Sequence, residues 1–310
     1  MSTRSPPAPA PTPTASPAHA IIPAMKHGIN IPNFGAFADI HRLTELAREA
    51  EDNGWDGFFL WDHLNDPGPG MRTDPPLPML DPWVALAAIA AATSRIRIGT
   101  MITPVARRRP WKLARETVSI DLLSNGRLIL GVGLGGMPAE EHARFGEDPD
   151  DRVRARRLDE GLDILAGLWS GEPFSYEGEE FRVDQAAFQP RPVQQPRIPV
   201  WVAGLWPNRR PFRRAARWDG VVPSKVPASP DGMPQLLTPS EIPEILEYTM
   251  GHRADDTPFD VAMSAYMPPD PANARDISDR FDAVGATWLL EWQPDPDALS
   301  ARLRALAPHA

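Results

Sequence analysis

From Met25 onward, eight short apolar runs alternate with eight longer stretches of helical periodicity, and that alternation restricts the chain to folds built on a parallel sheet covered by helices. The clearest unit runs from Arg107 to Gly136. Pro110 suits a first helical turn, where its missing N–H is no loss, and Leu113, Val118, Leu122 and Leu123 supply the apolar residues of the helix that follows. Asn125-Gly126 ends that helix, Gly126 being suited to the left-handed position beyond a helix C-terminus. Leu128 to Val132 is then an unbroken apolar run, as a strand buried on both faces requires, and it opens onto Gly133, Gly135 and Gly136.

The remaining strands are expected at Gly28–Ile31, Gly57–Trp61, Ile96–Ile102, Ile198–Ala203, Gly220–Val222, Phe259–Ala265 and Thr287–Glu291. Helices are expected from an Asp39 N-cap to a stop at Gly54, from Asp81-Pro82 to Ala92, from Arg152 to Trp169, from Arg209 to Arg217, before an end near Gly251, from Arg275 to Val284, and from Asp297 to Leu306. Eight strand–helix pairs without an internal boundary favour a closed barrel over an open doubly wound sheet. The expected fold class is therefore α/β, a (β/α)8 TIM barrel. An insertion follows the fourth helix, where a long irregular stretch to Pro196 carries Phe174, Tyr176, Phe181 and Phe188 outside the barrel. Residues 25–310 form a single domain, and residues 1–24, rich in Pro and Ala, a disordered tail.

A formal net charge of -9 repels phosphate backbones, so nucleic acid is not an expected partner. No run reaches the roughly 20 apolar residues of a membrane span. The absence of Cys removes disulfides, thiolate metal sites and Cys nucleophiles together, and is compatible with the reducing cytoplasm, the expected location. No His and carboxylate stand at metal-ligand spacing, so no metal site is expected.

Active sites of such barrels gather at the C-terminal ends of the strands. Here those ends are Asn30-Ile31-Pro32, Trp61-Asp62-His63, Met101 to Pro104, Gly133 to Gly136, Ala203-Gly204-Leu205 and Pro223-Ser224-Lys225. Gly131, Gly133 and Gly136 fit the GxGxxG dinucleotide pattern, but Met137 to Glu141 leads into the charged, broken stretch His142 to Asp151 where that pattern needs a helix packed on the strand. The glycines are better explained by close approach of backbone to a phosphate or a ring, with a rim turn that binds nothing as the alternative. His63 can titrate near neutrality and pass a proton to a bound molecule; a structural His is the competing explanation. Asn208-Arg209, at a helix start, could meet a phosphate, and Arg107-Arg108-Arg109 could do so or form a solvated helix start. The loops Asn65–Met79 and Pro223–Pro239 are expected to shape a mostly apolar substrate pocket with Met71, Leu77, Met79 and Met233, and Trp61, Trp83 and Trp206 to add aromatic walls.

Taken in order, the Asp-His after the second strand, LSNGRLILGVGLGG, EEHARFGED, RRLDEGLDILAGLWSG, YEGEEF, PRPVQQPRIPVWVAG and RRAARWDGVVP resemble the luciferase-like flavin-dependent monooxygenases, a family that includes oxidoreductases dependent on the deazaflavin coenzyme F-420. The resemblance covers Met25 to Val222. It implies a barrel holding FMN or F-420 across the strand mouths, acting on a small-molecule substrate as a monooxygenase, or alternatively as a deazaflavin-dependent hydride-transfer enzyme. A flavin-binding barrel without turnover is the reading from another class. His63 and Asp62 would be catalytic; Ile31, Trp61, Met101, Ile102, Thr103, Leu134, Gly135, Gly136, Ala203, Gly204 and Leu205 would bind the cofactor, with a bulge or cis peptide within Met101 to Thr103. The resemblance further implies a homodimer and leaves room for a separate flavin reductase as partner. The sugar-phosphate dehydrogenases of the family carry a Glu where this chain has Gly136, so their particular reaction is not expected.

Overall fold

The computed structural model describes residues 25–65, 68, 70–229, 232–268 and 270–305, and the tail expected over 1–24 lies outside them. Eight parallel strands close into a barrel in the ring order β1 (Lys26–Ile31), β2 (Gly57–Leu60), β3 (Arg97–Pro104), β4 (Leu128–Gly133), β7 (Val200–Trp206), β8 (Gly220–Lys225), β9 (Asp260–Ala265) and β10 (Trp288–Glu291), which returns to β1. This is the expected (β/α)8 barrel. Its outer layer is α1 (Ile40–Asp52), α2 (Pro82–Ala92), α3 (Pro110–Leu123), α5 (Asp151–Trp169), α6 (Arg209–Ala215), α7 (Ile242–Met250), α8 (Pro271–Asp282) and α9 (Pro296–Ala305), with one extra turn, α4 (Pro138–Glu141), after β4. None of the described helices is long and apolar enough to cross a membrane.

Local chemistry sets the boundaries. Asp39, Asp81 and Asp150 cap α1, α2 and α5, each carboxylate accepting the backbone N–H groups of the first turn. Asn125 and Gly126, both at positive φ (55° and 79°), terminate α3. Several boundaries differ from expectation: β7 runs past Ala203 to Trp206, β3 past Ile102 to Pro104, and α8 begins at Pro271 rather than Arg275. Two further differences have a clear physical reason. The sixth barrel strand, β8, runs on through Pro223 to Lys225, because it pairs with β9 only at Gly220 and Val221 and leaves beyond them a free edge where proline is tolerated. The insertion is not irregular: β5 (Phe174–Glu177) and β6 (Arg182–Ala186) form an antiparallel hairpin against α5. Glu160 of α5 holds its turn, accepting the backbone N–H groups of Glu179 at 2.8 Å and Phe181 at 2.9 Å.

Two apolar layers result. Ile29, Ile31, Ile98, Leu128, Leu130, Val200 and Val202 face the helices, while Phe59, Met101, Ile129, Trp201, Val222, Ala262, Trp288 and Leu290 fill the barrel. At the floor Asp260 accepts the indole N–H groups of Trp201 and Trp288, each at 3.2 Å, which ties the two rings together at that end of the barrel.

Candidate active site

Side chains alternate along each strand, and this fixes what the mouth presents. A Cβ on Gly28 would press on Leu290 and Phe59, so Gly28 points inward, Asn30 follows it, and Ile29 and Ile31 point to the helices. On β3 the Met101–Ile102 peptide is cis and the register with β4 shifts between Thr100 and Thr103. Ile102 and Ala203 pack on the inner layer, and Gly133 lies between them, where a Cβ would stand 2.2 Å from Ile102. The wall made by β3, β4 and β7 is thus small, apolar and uncharged. Above it Gly136 has open space: chain neighbours aside, no atom of the described residues lies within 4 Å of where a Cβ would stand. Gly68, Met137 and Met233, from the loops after β2, β4 and β8, come together, a Cβ on Gly68 standing 3.1 Å from Met137 Cε and 3.3 Å from Met233 Sδ.

Beside this wall the loops bury a set of charges. Asp62 accepts from Arg107 Nη2 at 2.6 Å, from Arg108 Nη2 at 2.8 Å and from Thr103 Oγ1 at 2.9 Å. Arg107 also pairs with Glu141, whose carboxylate accepts the backbone N–H groups of Leu64 and Asn65, each at 3.0 Å. Asn33 grips the His63 backbone on both sides, Nδ2 donating to its carbonyl at 2.8 Å and Oδ1 accepting its N–H at 3.2 Å. The His63 ring is wedged against Phe34 and Trp61, with Nδ1 3.6 Å from Glu141 Oε1. A cleft of about 240 Å3 opens here, lined by Leu64, Met79, Leu80 and Pro82 together with His63 and the charged Asp62, Asp81, Arg107 and Arg108.

His63, Trp61, Met101, Ile102, Thr103 and Ala203 therefore gather at the mouth, and Leu205 faces it by alternation from Trp201. Other expected site residues turn away from the mouth. Ile31 packs into the helix layer, one residue out of phase with Asn30. Leu134 also packs on that layer, and Arg154 Nη1 holds its carbonyl at 2.8 Å and that of Gly135 at 3.0 Å. Gly135 is a turn residue at φ +80° against Pro104, and Gly204 faces α6, where a Cβ would stand 2.9 Å from Pro211. The Asp62 carboxylate accepts from two arginines and a threonine. Arg209 lies over Trp206 at 4.0 Å and pairs with Glu244 instead of awaiting a phosphate. Trp83 and Trp206 are buried with the helix layer, so neither walls the mouth.

Glu141 and Trp292 escape the sequence reading. Glu141 reaches His63 from 78 positions along the chain, and its only signal was an acidic pair on a stretch that reads as broken. Trp292 follows β10, with its ring near-parallel to that of Trp61 at 19°. Next to Glu141, burial and the nearby Arg154 and Arg107 hold the His142 imidazole down to a pKa of about 4. Among the described residues no cluster of His, Asp and Glu could hold a metal ion.

The model of the family described as luciferase-like monooxygenase matches residues 17–237. The F-420-dependent glucose-6-phosphate dehydrogenase of Nakamurella multipartita is 30% identical over 217 residues, 69% of this chain and 60% of that protein. The chain spans about half to three fifths of the length of the first curated relatives it matches. Two solved structures share the fold. The coenzyme F-420 dependent tetrahydromethanopterin reductase from Methanopyrus kandleri has a TM-score of 0.72 at 17% identity, covering 92% of this chain and 99% of that one. A monooxygenase from Streptomyces bottropensis has a TM-score of 0.68 at 23% identity, covering 92% and 98%.

Proposed function

Because the chain belongs to the luciferase-like monooxygenase family, we propose that it is an oxidoreductase holding F-420 across the strand mouths, with His63 carrying the substrate's proton. FMN is the second candidate. The observation that carries this is His63 itself, fixed through its backbone by Asn33 and backed by Glu141 at the rim of a small, uncharged wall. That wall fits a flat ring: Ile102, Gly133 and Ala203 offer no charge and little bulk, and Gly136 leaves room beside them. The F-420-dependent relatives support the deazaflavin. The space at Gly136, where sugar-phosphate dehydrogenases carry a Glu, favours a different substrate and keeps FMN in play.

When bound, the cofactor would supply the two-electron chemistry. His63 turns Nδ1 toward Glu141, which leaves Nε2 to take a proton from a substrate hydroxyl or give one to a carbonyl. The Glu141 carboxylate opposes the positive charge that His63 gains, and Asp62 keeps Arg107 and Arg108 in place around both.

The test is titration of the purified chain with FMN, reduced FMN and F-420, followed by absorbance of the cofactor during turnover of a panel of alcohols and enones. His63→Asn should keep cofactor affinity and lower turnover by roughly 10²- to 10⁴-fold. Binding of none of the three cofactors, or full turnover by the variant, would defeat the proposal.

A further inference from the structure

We propose that the arc of the mouth made by Asn30, Trp61 and Trp292 is the substrate's side of the site, and that it selects a flat, uncharged aromatic molecule bearing a hydroxyl at one edge. This rests on the cofactor lying against the opposite wall of β3, β4 and β7. Trp61 follows β2 and Trp292 follows β10; their rings are inclined by only 19°, with centroids 6.4 Å apart, and both are partly exposed. Between those two strands lies β1, and because Ile29 pairs with Glu291, Asn30 stands level with Trp292 on the neighbouring strand. Asn30 is 8% exposed, and among the described residues its Oδ1 has no hydrogen-bond partner; Trp292 Nε1 is likewise buried and without a partner among them.

Buried polar atoms without partners are uncommon, and two on one arc beside aromatic faces define a ligand by what they lack. Indole faces favour a flat apolar body. A hydroxyl both donates and accepts, so it can meet Asn30 and Trp292 together whichever way the amide is turned. The same aromatic surface continues from Trp61 to His63 at 6.0 Å, which brings a molecule on the arc to the proton-carrying ring. Among the described residues the arc carries no charge. Asp62, Arg107, Arg108 and Glu141 neutralise one another, and Lys225 Nζ pairs with Glu241 at 2.7 Å, so the arrangement disfavours a sugar phosphate.

Calorimetric titration of the full chain, loaded with whichever cofactor it takes, should find 2-naphthol bound about tenfold tighter than cyclohexanol, and no competition from glucose 6-phosphate. Trp292→Phe keeps the aromatic face and removes the N–H, and Asn30→Ala removes the amide; each should weaken 2-naphthol roughly fivefold or more while leaving cofactor affinity and melting temperature near those of the parent. Absent 2-naphthol binding, equal binding of cyclohexanol, competition by glucose 6-phosphate, or variants without effect would overturn the assignment. So would variants that lose the cofactor instead, since the arc would then belong to the ring. If the parent chain takes neither FMN nor F-420, the cofactor proposal fails separately, and 2-naphthol titrated into the unloaded chain still reads the arc.

Discussion

Neighbouring residues Glu141 and His142 show how differently two buried polar side chains can be used. Glu141 is satisfied by Arg107 and two backbone N–H groups and still faces His63, which makes it a positioning group for the proposed proton transfer. Glu141→Gln should lower kcat by roughly 10- to 100-fold with KM and cofactor affinity little changed; a fall confined to melting temperature would mark it as purely structural. His142 is 1% exposed, and both its ring nitrogens lack partners. Its imidazole is held down to about 4, chiefly by burial and then by Arg154 and Arg107, against an ordinary value of 6.5. The unfolded chain therefore takes up a proton as pH falls through 6.5 while the folded chain does not until about 4, so stability drops across that window. The loss at its lower end is of the order of 3 kcal/mol. His142→Phe should be nearly neutral at pH 7 and should flatten the dependence of urea midpoint on pH between 4 and 6.5; an unchanged slope would place the cause elsewhere. The Asp62-His63 pair was legible because both residues adjoin a recognisable strand end. Their supports were not, since Arg107, Glu141 and Asn33 converge only when the barrel closes.

At the scale of elements, strands were legible and their phase was not. A strand covered on both faces is apolar throughout, so the sequence offers Ile29, Asn30 and Ile31 with no sign of which side faces inward. The structure answers through packing: Gly28 has no room for a side chain against Leu290 and Phe59, so the even residues face the lumen and Asn30, not Ile31, reaches the mouth. The hairpin of the insertion was obscured for another reason. Its strands have four and five residues, too short for period-two alternation to stand out between prolines. It is held by Glu160, whose carboxylate receives the N–H groups of Glu179, Glu180 and Phe181. Glu160→Gln turns an amide donor toward these donors and should cost about 2 kcal/mol, read as a lower urea midpoint together with faster proteolysis at the Gly178 turn. Cleavage there at the parent rate would show that the hairpin is secured by its apolar contacts alone.

Over the whole molecule, the stretch matched by the family model ends at residue 237, yet the barrel does not close without β9 and β10. Those last strands and the residue after β10 supply Asp260, Trp288 and Trp292, and with them the floor of the lumen and an aromatic partner for Trp61. The common stretch therefore carries the small, uncharged wall and His63, while the less similar C-terminal strands complete the enclosure and set its proposed selectivity. Closure depends on the floor. Phe59, Trp201 and Trp288 meet with ring centroids 5.2 to 5.9 Å apart, and Asp260 ties the two indoles together. Trp288→Ala removes a side chain that is 1% exposed and leaves part of the Asp260 carboxylate unpaired, so it should cost about 3–5 kcal/mol. Trp288→Phe restores most of the volume but not the N–H and should cost roughly 1–3 kcal/mol, so the two variants separate packing from hydrogen bonding at one position. If both lower the urea midpoint equally, the Asp260 bond dominates; if Trp288→Phe is silent, the floor is held by aromatic packing, and the carboxylate finds its compensation in Thr287, whose hydroxyl donates to it at 3.0 Å.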